Sequence, residues 1–350
     1  MREWINPRSK QELSQMFGHV MDPRLMDKDS SQMMEPMHVV TPLTTGTMMY
    51  PMDPWRKTLV MSILNTTPDS FSDGESNTLD LQSLRRTAAA HIAAGATIID
   101  VGGQSSRPNA PDVTAEEEIN RVLPAIAAIK SLPEAEGIAI SVDTYRAAVA
   151  EAAVNAGAHI VNDISAGTLD PEMFSTVARL GCTYIMMHMR GTPATMQSLE
   201  NCTYGNLRRE MTNELVSRVE LAVEAGVRNW RIILDPGIGF AKTQDQNIEL
   251  LRRPFLPYRN PPLSSAQVKD YKWYVKRLIR MPQLVGCSRK GFIGNITGVA
   301  EPKDRVHGTA AAVTASIRAG ADIVRVHDVQ EMVQTAKMAD AIFRYKTNPA

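Results

Sequence analysis

The chain has 350 residues and is short of most features that announce a role. Lys plus Arg equals Asp plus Glu at 38 each, so the formal net charge is zero. A neutral chain supplies no strong field for nucleic acid or an anionic membrane, and neither is expected as a partner. No apolar run approaches the roughly 20 residues needed to span a bilayer. The three cysteines, Cys182, Cys202 and Cys287, are odd in number and share no CxxC spacing. That argues against a disulfide framework or a structural zinc site and fits a reducing compartment. His19, His38, His91, His159 and His307 have no metal-ligand spacing. There is no GxGxxG after a strand, no P-loop, no HExxH and no GxSxG. The N-terminus has no signal-peptide core, and its acidic residues argue against a transit peptide. The cytosol is therefore expected, with the mitochondrion as the alternative if a parent polypeptide carries an address upstream.

What is present changes character along the chain. Residues 1–57 hold ten of the twenty methionines and six prolines without periodicity, and read as a linker or extended arm with little core of its own. From residue 58 to about residue 347 the texture is a repeat. Apolar runs recur at "LVMSILN", "TIIDVGG", "IAISVDT", "HIVNDIS", "TYIMMHM", "RIILDPG", "PQLVGCS" and "DIVRVHD", separated by stretches of helical spacing. Four of the helices end alike, at "AAGAT", "NAGAH", "EAGVR" and "RAGAD", where a Gly just past the helix makes a compact turn into the next strand. Eight even strand–helix units in about 290 residues predict a (β/α)8 TIM barrel rather than a doubly wound open sheet. Residues 253–281 interrupt the repeat as an insertion, read as a solvated surface segment.

In such a barrel the active site is built at the C-terminal ends of the strands. Here every strand ends on a polar residue: Asn65, Asp100, Asp143, Asn162, His188, Asp235, Ser288 to Lys290, and Arg325 with His327. A single one is explained by helix capping; eight on one rim are not. Asp100 reads as structural, because a further loop follows it. Asp143, Asn162, Asp235 and Lys290 suit one flat heterocycle of guanine-like or pterin type, since a carboxylate accepts two parallel N–H bonds from an amidine-like edge. Asn65, Arg107, Arg325 and His327 suit an anion, for Arg forks fit phosphate oxygens. Together they imply a heterocycle carrying phosphate. The loops "NTTPDSFSDGES" and "GGQSSRPNAPD" are long and polar, as lids are. Phe71 in the first either anchors the loop or lines the site.

Taken in order, "ILNTTPDSFSDG", "GGQSSRPNA", "SVDTYR", "VNDIS", "MHMRGTPATMQ", "DPGIGFAKT", "SRKGFIG" and "RVHDV" resemble dihydropteroate synthase of folate biosynthesis. The likeness runs from about Leu59 to the C-terminus. "GFAKT", "SRKGFIG" and the Tyr after "DT" look most like the fungal form, where the synthase is the last domain of a multifunctional protein.

The resemblance implies a reaction: 6-hydroxymethyl-7,8-dihydropterin pyrophosphate and 4-aminobenzoate condense to 7,8-dihydropteroate, releasing pyrophosphate with Mg²⁺. It implies that Asp143, Asn162, Asp235 and Lys290 hold the pterin, and that Asn65, Arg107, Arg325 and His327 hold the pyrophosphate, Asn65 also ligating Mg²⁺. Phe71, Ser106, Pro108, Phe240 and Lys290 would surround 4-aminobenzoate, with Ser288 and Arg289 near its carboxylate. Asp73 on the first lid would stabilise positive charge, and sulfonamides would compete as analogues of 4-aminobenzoate. A homodimer and upstream folate-pathway domains are the implied partners. Three lid features depart from the family pattern: the Thr66–Thr67 pair, "DGES" without a second Gly, and Ser106 in place of Thr. Two rivals remain, a pterin-dependent methyl-transfer barrel and a catalytically inactive pterin-binding module. The "TPDSFSDG" lid, the "SRK" turn and the "RVH" clamp weigh against the first, and the intact rim charges against the second.

Overall fold

The structure, a computed structural model, describes residues 57–66, 81–105, 112–252 and 281–344, and the backbone of the short strands His38–Val40 and Met48–Met49. Those two strands pair antiparallel, a piece of regular structure that a plain linker reading does not anticipate. The chain divides before Met37, and the unit Met37–Ala350 carries everything that follows. The insertion lies outside the described residues but for Met281, which is buried.

The repeat forms the expected barrel. Its strands are β1 (Leu59–Asn65), β2 (Ile98–Gly102), β3 (Ala139–Asp143), β4 (Ile160–Asp163), β5 (Thr183–Met187), β6 (Ile232–Asp235), β7 (Leu284–Val285) and β8 (Ile323–Val326). All pairings are parallel, in the spatial order β6-β5-β4-β3-β2-β1-β8-β7. Strand β7 is only two residues long. The ring still closes there: the Leu234 N–H donates to the Pro282 carbonyl at 2.9 Å, and Leu234 pairs with Gln283.

The connecting helices are α1 (Leu81–Ala93), α2 (Ala115–Lys130), α3 (Ala147–Ala156), α4 (Met173–Leu180), α5 (Leu207–Glu224), α6 (Gln244–Arg252), α7 (Gly291–Thr297), α8 (Val306–Arg318) and α9 (Val329–Phe343). The four repeated turn glycines, Gly95, Gly157, Gly226 and Gly320, all have the left-handed φ that their position requires.

Side chains alternate between the two faces of a strand, and that period sorts the barrel. Outward residues such as Val60, Ile99, Val142, Val161, Tyr184, Leu234 and Val324 join the helices in the main core. Inward, Met61, Ile98, Ala139, Ile160, Ile185, Ile233, Leu284 and Ile323 form a separate plug across the barrel. A third cluster lies above the plug, where Met189 and Met196 of the loop after β5 pack on Ile164, Met187, Phe240 and Ala241. The ends of the barrel are tied by a latch: Asp340 accepts from the Thr58 N–H and hydroxyl, both at 2.7 Å, and Arg344 donates to the Thr58 hydroxyl at 2.8 Å.

Candidate active site

Two residues beyond the plug, on the same inward face, the barrel turns polar. Asp100 follows Ile98, Ser141 follows Ala139, Asn162 follows Ile160, Asp235 follows Ile233 and Arg325 follows Ile323. One step higher stand Asn65, Gly102, Asp143, Ser288 and His327. Strand alternation alone aims this set at the mouth.

Arg325 is the hub of the floor. Its Nε donates to Asp100 Oδ2 at 2.6 Å, and a terminal nitrogen donates to Asp143 Oδ2, also at 2.6 Å. Asn162 Nδ2 donates to the same Asp100 oxygen at 3.0 Å. Arg325, expected to hold the anion, thus bridges two strands through these carboxylates. Asp100, read as structural, belongs to the same cluster. Asp143 and Asp235 lie near the cations Arg325, Lys290 and Lys242, and burial is the main cause of the shifts of Asp143, Asp235 and Lys290. Burial pushes the Asp143 carboxyl up to about 7 against the pull of Arg325, and the Asp100 charge adds to the rise. Burial pushes Asp235 up to about 6, opposed by the Gly237 N–H and by Lys290. Burial, with repulsion from Arg325 behind it, brings the Lys290 ammonium down to about 8.

Asp235 sits on a turn that can be made in few ways. The Gly237 N–H donates to Asp235 Oδ1 at 2.7 Å. Gly237 has φ +67°, and a Cβ there would meet the His188 carbonyl oxygen at 2.0 Å. The turn ends on Phe240, whose ring carries the Lys290 ammonium 4.2 Å from its centroid. Lys290 and Phe240, both expected around one substrate, are therefore in contact.

Beneath this turn is an assembly whose members are far apart in the sequence. Lys242 is buried, with Nζ 2.8 Å from the Phe240 carbonyl oxygen and 3.0 Å from His188 Nδ1. His188 Nε2 lies 2.8 Å from Glu214, which also pairs with Arg190. Arg190 stacks on Tyr204, and the Tyr204 hydroxyl donates to the Ala241 carbonyl at 2.9 Å. Burial, with Lys242 beside it, drops the His188 imidazole to about 4, and burial lowers Lys242 to about 7. His188 ends its strand like the rim residues, yet it is buried in this support and not presented at the mouth.

The rest of the rim follows. A Cβ on Gly102 would lie 3.7 Å from both Asn65 Oδ1 and Asp143 Cβ, so Asn65 stands at the mouth beside Asp143. Ser288 Oγ takes the His327 N–H at 3.2 Å and lies 3.1 Å from its Nδ1. Arg289, at φ +58°, turns to Asp328 and pairs with both of its oxygens. Phe71, Asp73, Ser106, Arg107 and Pro108 lie outside the described residues. The ends of the second lid are described: Gln104 Nε2 donates to Asp112 Oδ1 at 2.8 Å, and Arg146 reaches both residues.

A floor of inward carboxylates and an amide, with cations beside it, thus lies at the mouth of a (β/α)8 barrel. Comparison with known proteins shows the family. Residues 61–327 match the family described as pterin binding enzyme. The chain is 47% identical over 304 residues to the dihydropteroate synthase of Synechocystis, covering 87% of this chain and 96% of that protein. The chain belongs to the dihydropteroate synthase family.

A solved member, a dihydropteroate synthase from Clostridium difficile crystallised in the presence of pteroic acid, superposes with a TM-score of 0.69 at 38% identity, over 83% of this chain and 98% of that one. The mitochondrial folate synthesis bifunctional protein of pea is 44% identical over 315 residues, 90% of this chain. The chain spans only 58% of that relative's length, and 36% of the length of the fungal folic acid synthesis proteins it matches.

Proposed function

We propose that this chain condenses 6-hydroxymethyl-7,8-dihydropterin pyrophosphate with 4-aminobenzoate to give 7,8-dihydropteroate and pyrophosphate. The observation that carries the proposal is the inward polar layer. Asp143, Asn162 and Asp235 offer acceptors to the aminopyrimidine edge, and Lys290 and Arg325 offer positive charge beside them.

The chemistry asks little of a general base. An aryl amine is a weak nucleophile, but pyrophosphate leaves readily once its charge is neutralised. The C–O bond breaks first and pyrophosphate keeps the electron pair. The methylene cation left behind is delocalised into the dihydropterin ring. The amine lone pair then forms the C–N bond, and its surplus proton passes to solvent. The residues have to stabilise charge and exclude water. Asp143 and Asp235 hold the ring and favour its positive charge. Arg325 and His327, with Arg107, meet the pyrophosphate. Phe240 and Lys290 flank the amine, with Phe71, Ser106 and Pro108 from the lids and Ser288 on its carboxylate side. Because Arg289 pairs with Asp328, it shapes that end rather than binding through a free guanidinium.

Mg²⁺ fits this site as a shared ion. Among the described residues no group of three or more His, Cys, Asp or Glu could cage a metal, and Mg²⁺ is commonly held by few protein oxygens together with substrate phosphates. Asn65 supplies such an oxygen at the rim, and the ion would neutralise pyrophosphate charge.

For partners, the fused architecture of the plant and fungal relatives supports upstream folate-pathway domains. Met338, Ile342 and Phe343, exposed on α9, support a homodimer, which light scattering would read directly. Among the described residues no helix is long and apolar enough to cross a membrane. The cytosol remains the first expectation, and the mitochondrial names of two plant relatives support the alternative; fractionation separates them. The reaction itself is tested by mass-spectrometric detection of 7,8-dihydropteroate from both substrates and Mg²⁺. Product that is suppressed by a sulfonamide supports the proposal, and pterin bound without product refutes it in favour of an inactive module.

A further inference from the structure

One carboxylate in the floor has no task in the reaction above. Asp100 is fully buried on β2 and faces inward beneath the rim. Its Oδ2 takes both Arg325 Nε at 2.6 Å and Asn162 Nδ2 at 3.0 Å. Its Oδ1 has no hydrogen-bond partner among the described residues, and neither has Ser141 Oγ, in register beside it on β3. Buried carboxylates are seldom left so, and nothing in the outer packing of the barrel uses this one.

An amide has a donor end and an acceptor end. With the Nδ2 end of Asn162 held below by Asp100, its Oδ1 end is turned toward the pocket. Asp143 and Asp235 contribute only acceptors when ionised. A flipped Asn162 would break the row by placing a donor among them.

We propose that Asp100 is a positioning residue for substrate recognition: by holding Asn162 Nδ2 and Arg325 Nε from beneath, it makes the floor a continuous row of acceptors that selects a ring edge made of N–H donors. The inference rests on the pterin reading of the site and extends it to a residue that never touches the ligand. The other buried aspartate nearby, Asp163, is the natural control. It points outward from β4 and accepts from the Tyr184 hydroxyl at 2.6 Å and from Ser165 at 2.7 Å, with no member of the floor among its partners.

The test uses the full chain and 6-hydroxymethyl-7,8-dihydropterin, which lacks pyrophosphate and so isolates ring recognition. Its Kd is measured calorimetrically for wild type, Asp100→Asn, Asn162→Ala and the double variant, alongside KM for each substrate. Asp100→Asn should weaken pterin binding roughly 10-fold or more, the loss expected when a charge-assisted hydrogen bond is removed. KM for 4-aminobenzoate should stay within about 2-fold of wild type, because the Asp100 contacts do not reach that subsite. If Asp100 acts through Asn162, the double variant should bind about as Asn162→Ala does. Asp163→Asn should lower the melting temperature without this split. Should Asp100→Asn not fold, Asp100→Ser removes the same charge with less bulk and reads the same ratio.

Pterin affinity unchanged in the Asp100 variant overturns the inference, as does equal loss for both substrates or simple additivity in the double variant. A wild type that binds pterin but forms no product refutes the proposed reaction, while the calorimetric pterin Kd values of wild type, Asp100→Asn, Asn162→Ala and the double variant still test the Asp100 inference. A wild type that binds no pterin refutes both.

Discussion

Replacing Arg325 by Ala leaves two buried carboxylates without the cation they share. Arg325 holds Asp100 and Asp143 at 2.6 Å each, with only 20% of its own side chain exposed, so solvent screens the pairing poorly. Removing one partner of a buried pair costs about 3–5 kcal/mol when the stranded charge must stay. Here it need not stay at every pH. Burial already lifts Asp143 to about 7, and Arg325 is the group that pulls it down. Without Arg325, Asp143 keeps its proton to higher pH. A carboxyl with a folded pKa above its unfolded value binds its proton more tightly in the folded state. Its stabilisation is therefore present at low pH and lost as the pH rises through the folded value.

Urea unfolding should accordingly place Arg325→Ala about 1 kcal/mol below wild type at pH 5.5 and about 3 kcal/mol below it at pH 8. Adding Asp100→Asn should recover most of the deficit at pH 8, since one carboxylate no longer faces the other. A deficit equal at both pH values, or larger at pH 5.5, would refute the picture of Arg325 as the shared counter-charge of the floor.

Four further outcomes are expected. With Asp235 at about 6, Asp143 at about 7 and Lys290 at about 8, kcat/KM for the pterin substrate should rise between about pH 6 and 7 as the carboxyls ionise and fall above about pH 8 as the ammonium is lost; a flat profile contradicts the assignment. Gly237→Ala combines a φ of +67° with a 2.0 Å approach to the His188 carbonyl, so it should cost several kcal/mol of stability and give little folded protein in a thermal melt. Asp340→Ala opens the Thr58–Arg344 latch and should cost roughly 1–3 kcal/mol of stability with kcat unchanged. Chelating Mg²⁺ should abolish turnover while calorimetric binding of the pterin without pyrophosphate persists.

Much of this site is written in the period of the strands. Counting in twos from Ile160, Ile233 and Ile323 lands on Asn162, Asp235 and Arg325, and the four turn glycines mark the helix ends. The same count from Ile98 lands on Asp100, which the strand period places inward although a further loop follows it. The support beneath Asp235 is not legible in this way. His188, Glu214 and Lys242 come from a strand end, the middle of α5 and a loop, and only the closed barrel brings them together. The pairing of Arg289 with Asp328 is of the same kind, since it depends on how two adjacent strand ends leave the barrel. Closure of the ring through the Pro282 carbonyl likewise needs the neighbouring strand in place.

Pyrophosphate release by the purified chain, supplied with the dihydropterin pyrophosphate and Mg²⁺ with and without 4-aminobenzoate, tests the central claim most directly. The account predicts release that depends on 4-aminobenzoate, is lost in Lys290→Ala, and falls roughly 10²–10³-fold in Arg325→Ala, as when other preorganised charge donors are removed. Release indifferent to 4-aminobenzoate, or unaffected by both substitutions, would contradict it.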